Sequence, residues 1–467
     1  MRRSLIIVFC LMLATSSFAQ NNGILQGDWR GNIEIPAQPL DITVHFSHED
    51  TAYTGTIDIP QQMASGLSLQ NITSPKPDSV YFELMAGPGL AQFHGNFQND
   101  TTITGRFLQN GMAFPFRLSK SAEHKDQSQP KNLPYRQEDL VIQRDSIVIA
   151  GTLTLPSDQP PRRAVILISG SGAQDRDETM VGFKPFARLA DSLTRLGMAV
   201  FRFDDRGVGQ STGQPDAELS ELVKDVETIH QTLKKSHRLS NTEIGLLGHS
   251  QGGIIAAKLA AQNPTIPFII MMGSPAFPLS DIIIQQSEAI ASTASQPDST
   301  IQQNINLQKR IFEAVRNDTG MSEVRHIIAQ KIYKRVQQLP KSQQQQISDL
   351  QVYADNQAKQ QLQAVTSPLF RSLIDYNPTQ DLTQLDIPVL AIFGEKDLQV
   401  LPQPNSTQMR NALKQGKAPF TIEIIPSANH LFQKAKTGLP TEYGTLGETF
   451  SDSFWQVITE WIQNLDA

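Results

Sequence analysis

The chain has 467 residues, 39% of them hydrophobic and 18% charged, which is the make-up of a globular protein too long for one average core. Its 46 acidic side chains outnumber 40 basic ones for a formal net charge of -6, and no stripe of Lys and Arg runs along it, so the composition excludes nucleic acid as a partner.

Residues 1–19 open with Met1-Arg2-Arg3, continue through a short apolar run and end on Ser16-Ser17-Phe18-Ala19. A basic start, an apolar middle too short to span a bilayer and small residues at the end predict a secretory signal peptide cut after Ala19, with the mature chain secreted or periplasmic. Cys10, the only cysteine, lies inside that peptide, so the remainder is expected to use no thiol catalysis, no zinc-thiolate site and no disulfide. No later segment reaches about 18 consecutive apolar residues, so no integral membrane segment is expected in the mature chain.

Across residues 20–120 the pattern alternates, as in Leu40-Asp41-Ile42-Thr43-Val44-His45-Phe46 and Val80-Tyr81-Phe82-Glu83-Leu84. That period of two predicts half-buried antiparallel strands, and Asn110-Gly111 between apolar runs is a strong hairpin signal. A small all-β domain, barrel or sandwich, follows, with Trp29, Phe93, Phe107 and Phe116 in its core. Residues 121–137 are mostly polar and read as a linker. Strands then alternate with helices over 138–277 and again over 387–467, which predicts an α/β domain whose largely parallel sheet is covered on both faces. Between them, residues 278–386 are Gln-rich, hold no strand-like run and carry apolar residues at helical spacing, so they are expected to form a helical cap inserted into the α/β domain.

The most informative segment is Ile244-Gly245-Leu246-Leu247-Gly248-His249-Ser250-Gln251-Gly252-Gly253. An apolar strand runs through Gly-x-Ser-x-Gly straight into an Ala- and Ile-rich helix, the setting of a nucleophile elbow with Ser250 at its apex. A serine hydroxyl is a poor nucleophile until a base takes its proton, and in elbow proteins the partners follow in the order Ser, acid, His. Only His326 and His430 come after Ser250; His326 falls on a cap helix, whereas His430 follows the last predicted strand. His430 is therefore the expected base. Asp397, just past the strand over 389–393, is the expected acid, with Glu395 as the substitute, while Asp386 precedes that strand and falls at the wrong edge. The backbone amides of Gln251 and of Ser171, in the Gly-rich loop Ser169-Gly170-Ser171-Gly172, are the candidate oxyanion hole, with Gly172 the nearest alternative. That loop lacks the Gly-Lys-Ser/Thr ending of a phosphate loop. The clusters Asp175-Arg176-Asp177-Glu178 and Asp204-Asp205-Arg206 read as ion-pair networks before they read as substrate contacts.

Together the strings Gly170-Ser171-Gly172-Ala173-Gln174-Asp175-Arg176-Asp177-Glu178, Phe203-Asp204-Asp205-Arg206-Gly207-Val208-Gly209-Gln210-Ser211, Gly248-His249-Ser250-Gln251-Gly252-Gly253 and Asn429-His430-Leu431-Phe432 resemble the α/β-hydrolase superfamily. The resemblance is narrower toward secreted EstD-type esterases and serine-aminopeptidase-like (S33-like) hydrolases, and it covers residue 140 to the end of the chain. It implies hydrolysis of a small-molecule carboxylic ester of small to medium acyl length through acyl-Ser250, with no cofactor and no metal. Ser169-Gly170 stands where lipases carry His-Gly, which argues against a preference for long triglycerides. Two other readings remain at this point, an aminopeptidase or acylaminoacyl peptidase, and a non-catalytic protein whose β-domain binds glycan or peptide. The sequence leaves the oligomeric state open.

Overall fold

The computed structural model describes the chain from 24 to 465 apart from residues 36–38, 50–51, 60–63, 75–77, 87–88, 110–111, 122–132, 158, 339–340, 345–346 and 348. The expected signal peptide, the Asn110-Gly111 turn and residues 122–132 of the expected linker lie outside the described residues.

Eight strands, β1 (Gly27–Ile33), β2 (Leu40–Glu49), β3 (Ala52–Ile59), β4 (Ala64–Thr73), β5 (Ser79–Ala86), β6 (Gly89–Asn99), β7 (Thr102–Gln109) and β8 (Met112–Lys120), form a closed barrel. Each pairs antiparallel with the next, and β8 returns to β1 from Trp29↔Lys120 to Ile33↔Phe116. Alternation puts Trp29, Val44, Phe46, Phe82, Phe93 and Phe116 out of solvent. Phe93 stacks on Phe82 with ring centroids 4.4 Å apart and meets Phe107 and Phe116 edge-on, so these aromatics fill the barrel.

The second sheet has the order β16-β15-β14-β13-β11-β12-β10-β9. It opens with an antiparallel pair, β9 (Tyr135–Arg144) and β10 (Ile147–Pro156). β9 begins inside the stretch read as linker, because buried Tyr135 extends the ladder to Pro156. β11 (Arg163–Ile168), β12 (Ala199–Phe203), β13 (Glu243–His249), β14 (Ile269–Met272), β15 (Val389–Gly394) and β16 (Phe420–Ile425) are mutually parallel wherever they pair. β12, β14 and β15 are buried along their whole length, as strands covered on both faces must be; β14 and β15 read as unbroken apolar runs, while β12 carries one buried charge, Arg202.

Helices cover both faces. α1 (Pro185–Arg195) starts with Pro at its first position and buries Phe186, Leu189, Ala190 and Leu193, a stripe at spacings of three and four. α2 (Leu219–Lys235) buries Val223, Val226, Ile229 and Leu233 by the same logic. α3 (Gln251–Gln262) follows β13 directly and is apolar on nearly every side. Between β14 and β15 lie α4 (Leu279–Thr293), α5 (Asp298–Asn317), α6 (Met321–Gln337), α7 (Lys341–Gln344), α8 (Leu350–Val365), α9 (Pro368–Leu373) and α10 (Thr379–Leu382). This helical insertion is the cap. Val336, Ile347 and Tyr353 of the cap pack into the apolar cluster of the barrel, with Tyr353 edge-on to Phe114. α10 packs instead against α3 and α11 (Pro402–Gln415), and Leu382 and Leu385 join the core of the sheet. α12 (Asp452–Asn464) closes the chain on the face that α1 covers.

Candidate active site

β13 ends at His249 and α3 begins at Gln251, so Ser250 alone makes the turn, with φ 52 and ψ -119. A side chain in that conformation costs on the order of 1–3 kcal/mol and persists only where the surroundings enforce it. The enforcement is visible: Ser250 N–H donates to the Met272 carbonyl at 2.7 Å, and Gly253 N–H donates to the Ser250 carbonyl at 3.0 Å. The glycines are there for contact distance, since a Cβ on Gly248 would lie 2.2 Å from the backbone of Gly252, and one on Gly252 would lie 2.1 Å from the Ile168 carbonyl oxygen.

The expected acid and base meet. His430 Nδ1 lies 2.7 Å from Asp397 Oδ2, with both residues almost fully buried. Asp397 Oδ1 accepts from the amides of Gln399 at 2.8 Å and Val400 at 2.9 Å, so the carboxylate is held by three donors. A carboxylate at Nδ1 makes that nitrogen the protonated one and leaves Nε2 with its lone pair, the tautomer a general base needs. Asn429 fixes the loop by accepting from the amides of Leu431 and Gln433. The ring is brought to the elbow through Gly273, the residue after the one that bonds Ser250: a Cβ there would lie 3.2 Å from Cε1 and Nδ1 of His430. Rings of His249 and His430 sit 4.7 Å apart.

The alternatives lie elsewhere. Exposed Glu395 accepts the Ser427 amide at 2.7 Å and braces the loop before His430. Asp386 is exposed ahead of β15, and His326 is exposed on α6 beside Gln330.

Gln251, as first residue of α3, presents one of the helix-start amides that have no acceptor within the helix. Ser171 is exposed in the loop after β11, and its carbonyl accepts from Gln174 Nε2 at 3.1 Å. Gly172 and Gln251 line the same small pocket, of about 40 Å³, with Ile149, Phe203, Ile255 and Leu369 as apolar wall. Leu369 comes from α9 of the cap. At the edge of that pocket Asp205 accepts from Ser169 Oγ at 2.7 Å and from Gln174 N–H at 3.0 Å. Burial pushes its carboxyl up to about 7, aided by the charges of Glu178 and Asp204 and opposed by those two hydrogen bonds.

The arginines of the flanking charged clusters are spent on ion pairs. Arg176 pairs with Asp204 at 2.6 Å, Arg202 with Asp177 at 2.7 Å and Arg206 with Asp225 at 2.5 Å. One pair escaped sequence reasoning. Buried His249, the residue before Ser250, lies with Nδ1 2.8 Å from Oε1 of buried Glu178. The available signal was that His249 sits inside the elbow and Glu178 ends the string that starts in the Gly-rich loop after β11.

Residues 159–434 match the family model described as serine aminopeptidase, S33. The esterase EstD of Thermotoga maritima is 23% identical over 297 residues, covering 63% of this chain and 61% of that protein, so the chain spans about three fifths of this relative's length. Monoglyceride lipase of Mus musculus is 30% identical over 138 residues, 29% of this chain and 42% of the lipase. Among solved structures, an esterase from Pyrococcus furiosus superposes with a TM-score of 0.40 at 14% identity, covering 64% of this chain and 84% of that one.

Proposed function

Because the chain belongs to the serine aminopeptidase, S33, family of α/β-hydrolases, we propose that it is a serine esterase acting on short-chain carboxylic esters, with Ser250, His430 and Asp397 as its triad. The observation that carries this reading is the buried 2.7 Å contact between Asp397 and His430 beside a serine held at positive φ on a strand-to-helix turn. Ser250 Oγ attacks the ester carbonyl carbon while His430 Nε2 takes its proton, and Asp397 stabilises the imidazolium that forms. The amides of Gln251 and Ser171 receive the oxyanion. Collapse of the tetrahedral intermediate breaks the ester C–O bond, His430 returns the proton to the leaving alcohol, and water deacylates Ser250 by the same route.

The small pocket of about 40 Å³ beside Gly172 and Gln251, walled by Ile149, Phe203, Ile255 and Leu369, supports a short acyl group as the one it would receive. The N-terminal pattern of residues 1–19 supports action outside the cytoplasm, secreted or periplasmic. A panel of p-nitrophenyl esters from acetate to decanoate, run beside aminoacyl p-nitroanilides, tests the proposal. It expects turnover of the short esters; turnover confined to the anilides would replace it with an aminopeptidase.

A further inference from the structure

His249 and Glu178 are paired where no solvent reaches them, on two segments 71 residues apart. His249 Nε2 lies 3.1 Å from the His430 backbone carbonyl, an atom that only accepts, so Nε2 carries a hydrogen. Nδ1 lies 2.8 Å from Glu178 Oε1, and the same oxygen accepts the Gly170 amide at 2.6 Å, while Oε2 is buried with no hydrogen-bond partner among the described residues. An imidazole with a hydrogen only on Nε2 would set the Nδ1 lone pair against an ionised carboxylate. With Glu178 as the carboxylate, the conflict is removed by imidazolium on His249, which donates from Nδ1 to Glu178 and from Nε2 to the His430 carbonyl. Burial alone lowers the imidazole pKa, but the charge and hydrogen bond of Glu178, the His430 carbonyl and the charge of Asp397 outweigh it, and the net direction is upward.

This pair ties together three segments. A Cβ on Gly170 would lie 3.1 Å from Glu178 Oε1, 3.4 Å from Ser250 Cβ and 3.5 Å from His249 Nδ1, so the start of the oxyanion loop is pressed onto the elbow. Glu178 and Phe432, one in the acidic loop and one in the loop of the base, both sit at positive φ, 52 and 59, in backbones that need external support.

We propose that the buried imidazolium–carboxylate pair of His249 and Glu178 is a positioning latch that fixes the oxyanion loop and the His430 loop against the nucleophile elbow, and that it opens when His249 loses its proton. The inference rests on the esterase reading above. The titratable groups facing the latch are Glu178 on the acidic loop, Asp205 after β12, and His430 and Asp397 on the two triad loops. Because the folded pKa of His249 is raised, the latch is closed at low pH and is lost as pH rises through that value. Neither residue touches substrate, so its loss lowers kcat more than it changes KM.

The test is Glu178→Gln, which keeps the shape and removes the charge that holds the proton. Its kcat on a short p-nitrophenyl ester is expected to fall about 10- to 100-fold at pH 8. The ratio of wild-type to variant kcat should shrink as pH is lowered, with KM nearly constant. A deficit equal at every pH would overturn the latch and leave a packing role. If the variant fails to fold, ¹⁵N-histidine NMR of the wild-type protein decides: His249 should carry hydrogens on both nitrogens at pH 7.5, and a neutral ring there overturns the inference. Failure of the wild-type protein to react with a small fluorophosphonate would instead sink the esterase reading, while labelling without the pH effect sinks the latch alone.

Discussion

Asp205→Asn should stabilise the protein, and the gain should grow with pH. Burial carries this carboxyl from 3.8 to about 7, so the folded state holds its proton over a range in which the unfolded chain has released it. That displacement corresponds to about 4 kcal/mol between the two protonation states. A raised folded pKa means that the contribution is fully present below about pH 4 and is lost as pH rises through about 7. Asparagine reproduces the protonated geometry, because its NH₂ donates to Ser169 Oγ and its oxygen accepts the Gln174 amide, the two contacts Asp205 makes. Urea unfolding of wild type and variant at pH 4.5 and pH 8 is the assay. The two proteins should be close at pH 4.5 and differ by up to about 4 kcal/mol in favour of the variant at pH 8. A variant less stable than wild type at pH 8 would show that Asp205 is held as an anion, and the electrostatic picture of the loop after β11 would be wrong.

His430→Ala should abolish ester turnover and Asp397→Asn should lower kcat by about 10⁴-fold, the cost of the wrong imidazole tautomer in a comparable triad. His326→Ala, at an exposed position on α6, should leave kcat unchanged under matched circular dichroism. Leu369→Ala, which removes the cap's contribution to the small pocket beside Gly172 and Gln251, should move the preferred acyl chain longer by about two carbons in the p-nitrophenyl ester series if that pocket receives the acyl group; an unchanged profile would place acyl selection elsewhere.

The parts of this fold legible in the sequence are those governed by local period and turn chemistry. Unbroken apolar runs marked β14 and β15, an apolar run interrupted by Arg202 marked β12, and spacings of three and four marked α1 and α2, because each pattern answers directly to which faces are buried. The elbow was legible because its Gly-x-Ser-x-Gly spacing is a local pattern: Gly248 is demanded by Gly252 and Gly253 within five residues of chain, although what excludes a side chain at Gly252 is the Ile168 carbonyl at the end of the neighbouring strand. Asp397 and His430 could be chosen because each follows a strand that ends at one edge of the sheet. Closure of the β-domain into a barrel was not legible, since alternation is identical in a sandwich and closure depends on β1 meeting β8 some 80 residues away. The docking of Val336 and Tyr353 on the barrel escaped likewise, because an apolar helix face does not announce its partner. His249 with Glu178 escaped because a buried ion pair leaves no period in the sequence, only two polar residues in segments already explained by other roles.

The most direct measurement of the central claim is intact-mass and peptide mass spectrometry after reaction with a small fluorophosphonate, on wild type and Ser250→Ala side by side. One adduct per wild-type chain is expected, located on Ser250, with loss of p-nitrophenyl acetate turnover in step with labelling. The variant should show no adduct and a kcat lower by on the order of 10⁶. An adduct on another residue, or a Ser250→Ala protein that still turns over the ester, would contradict it.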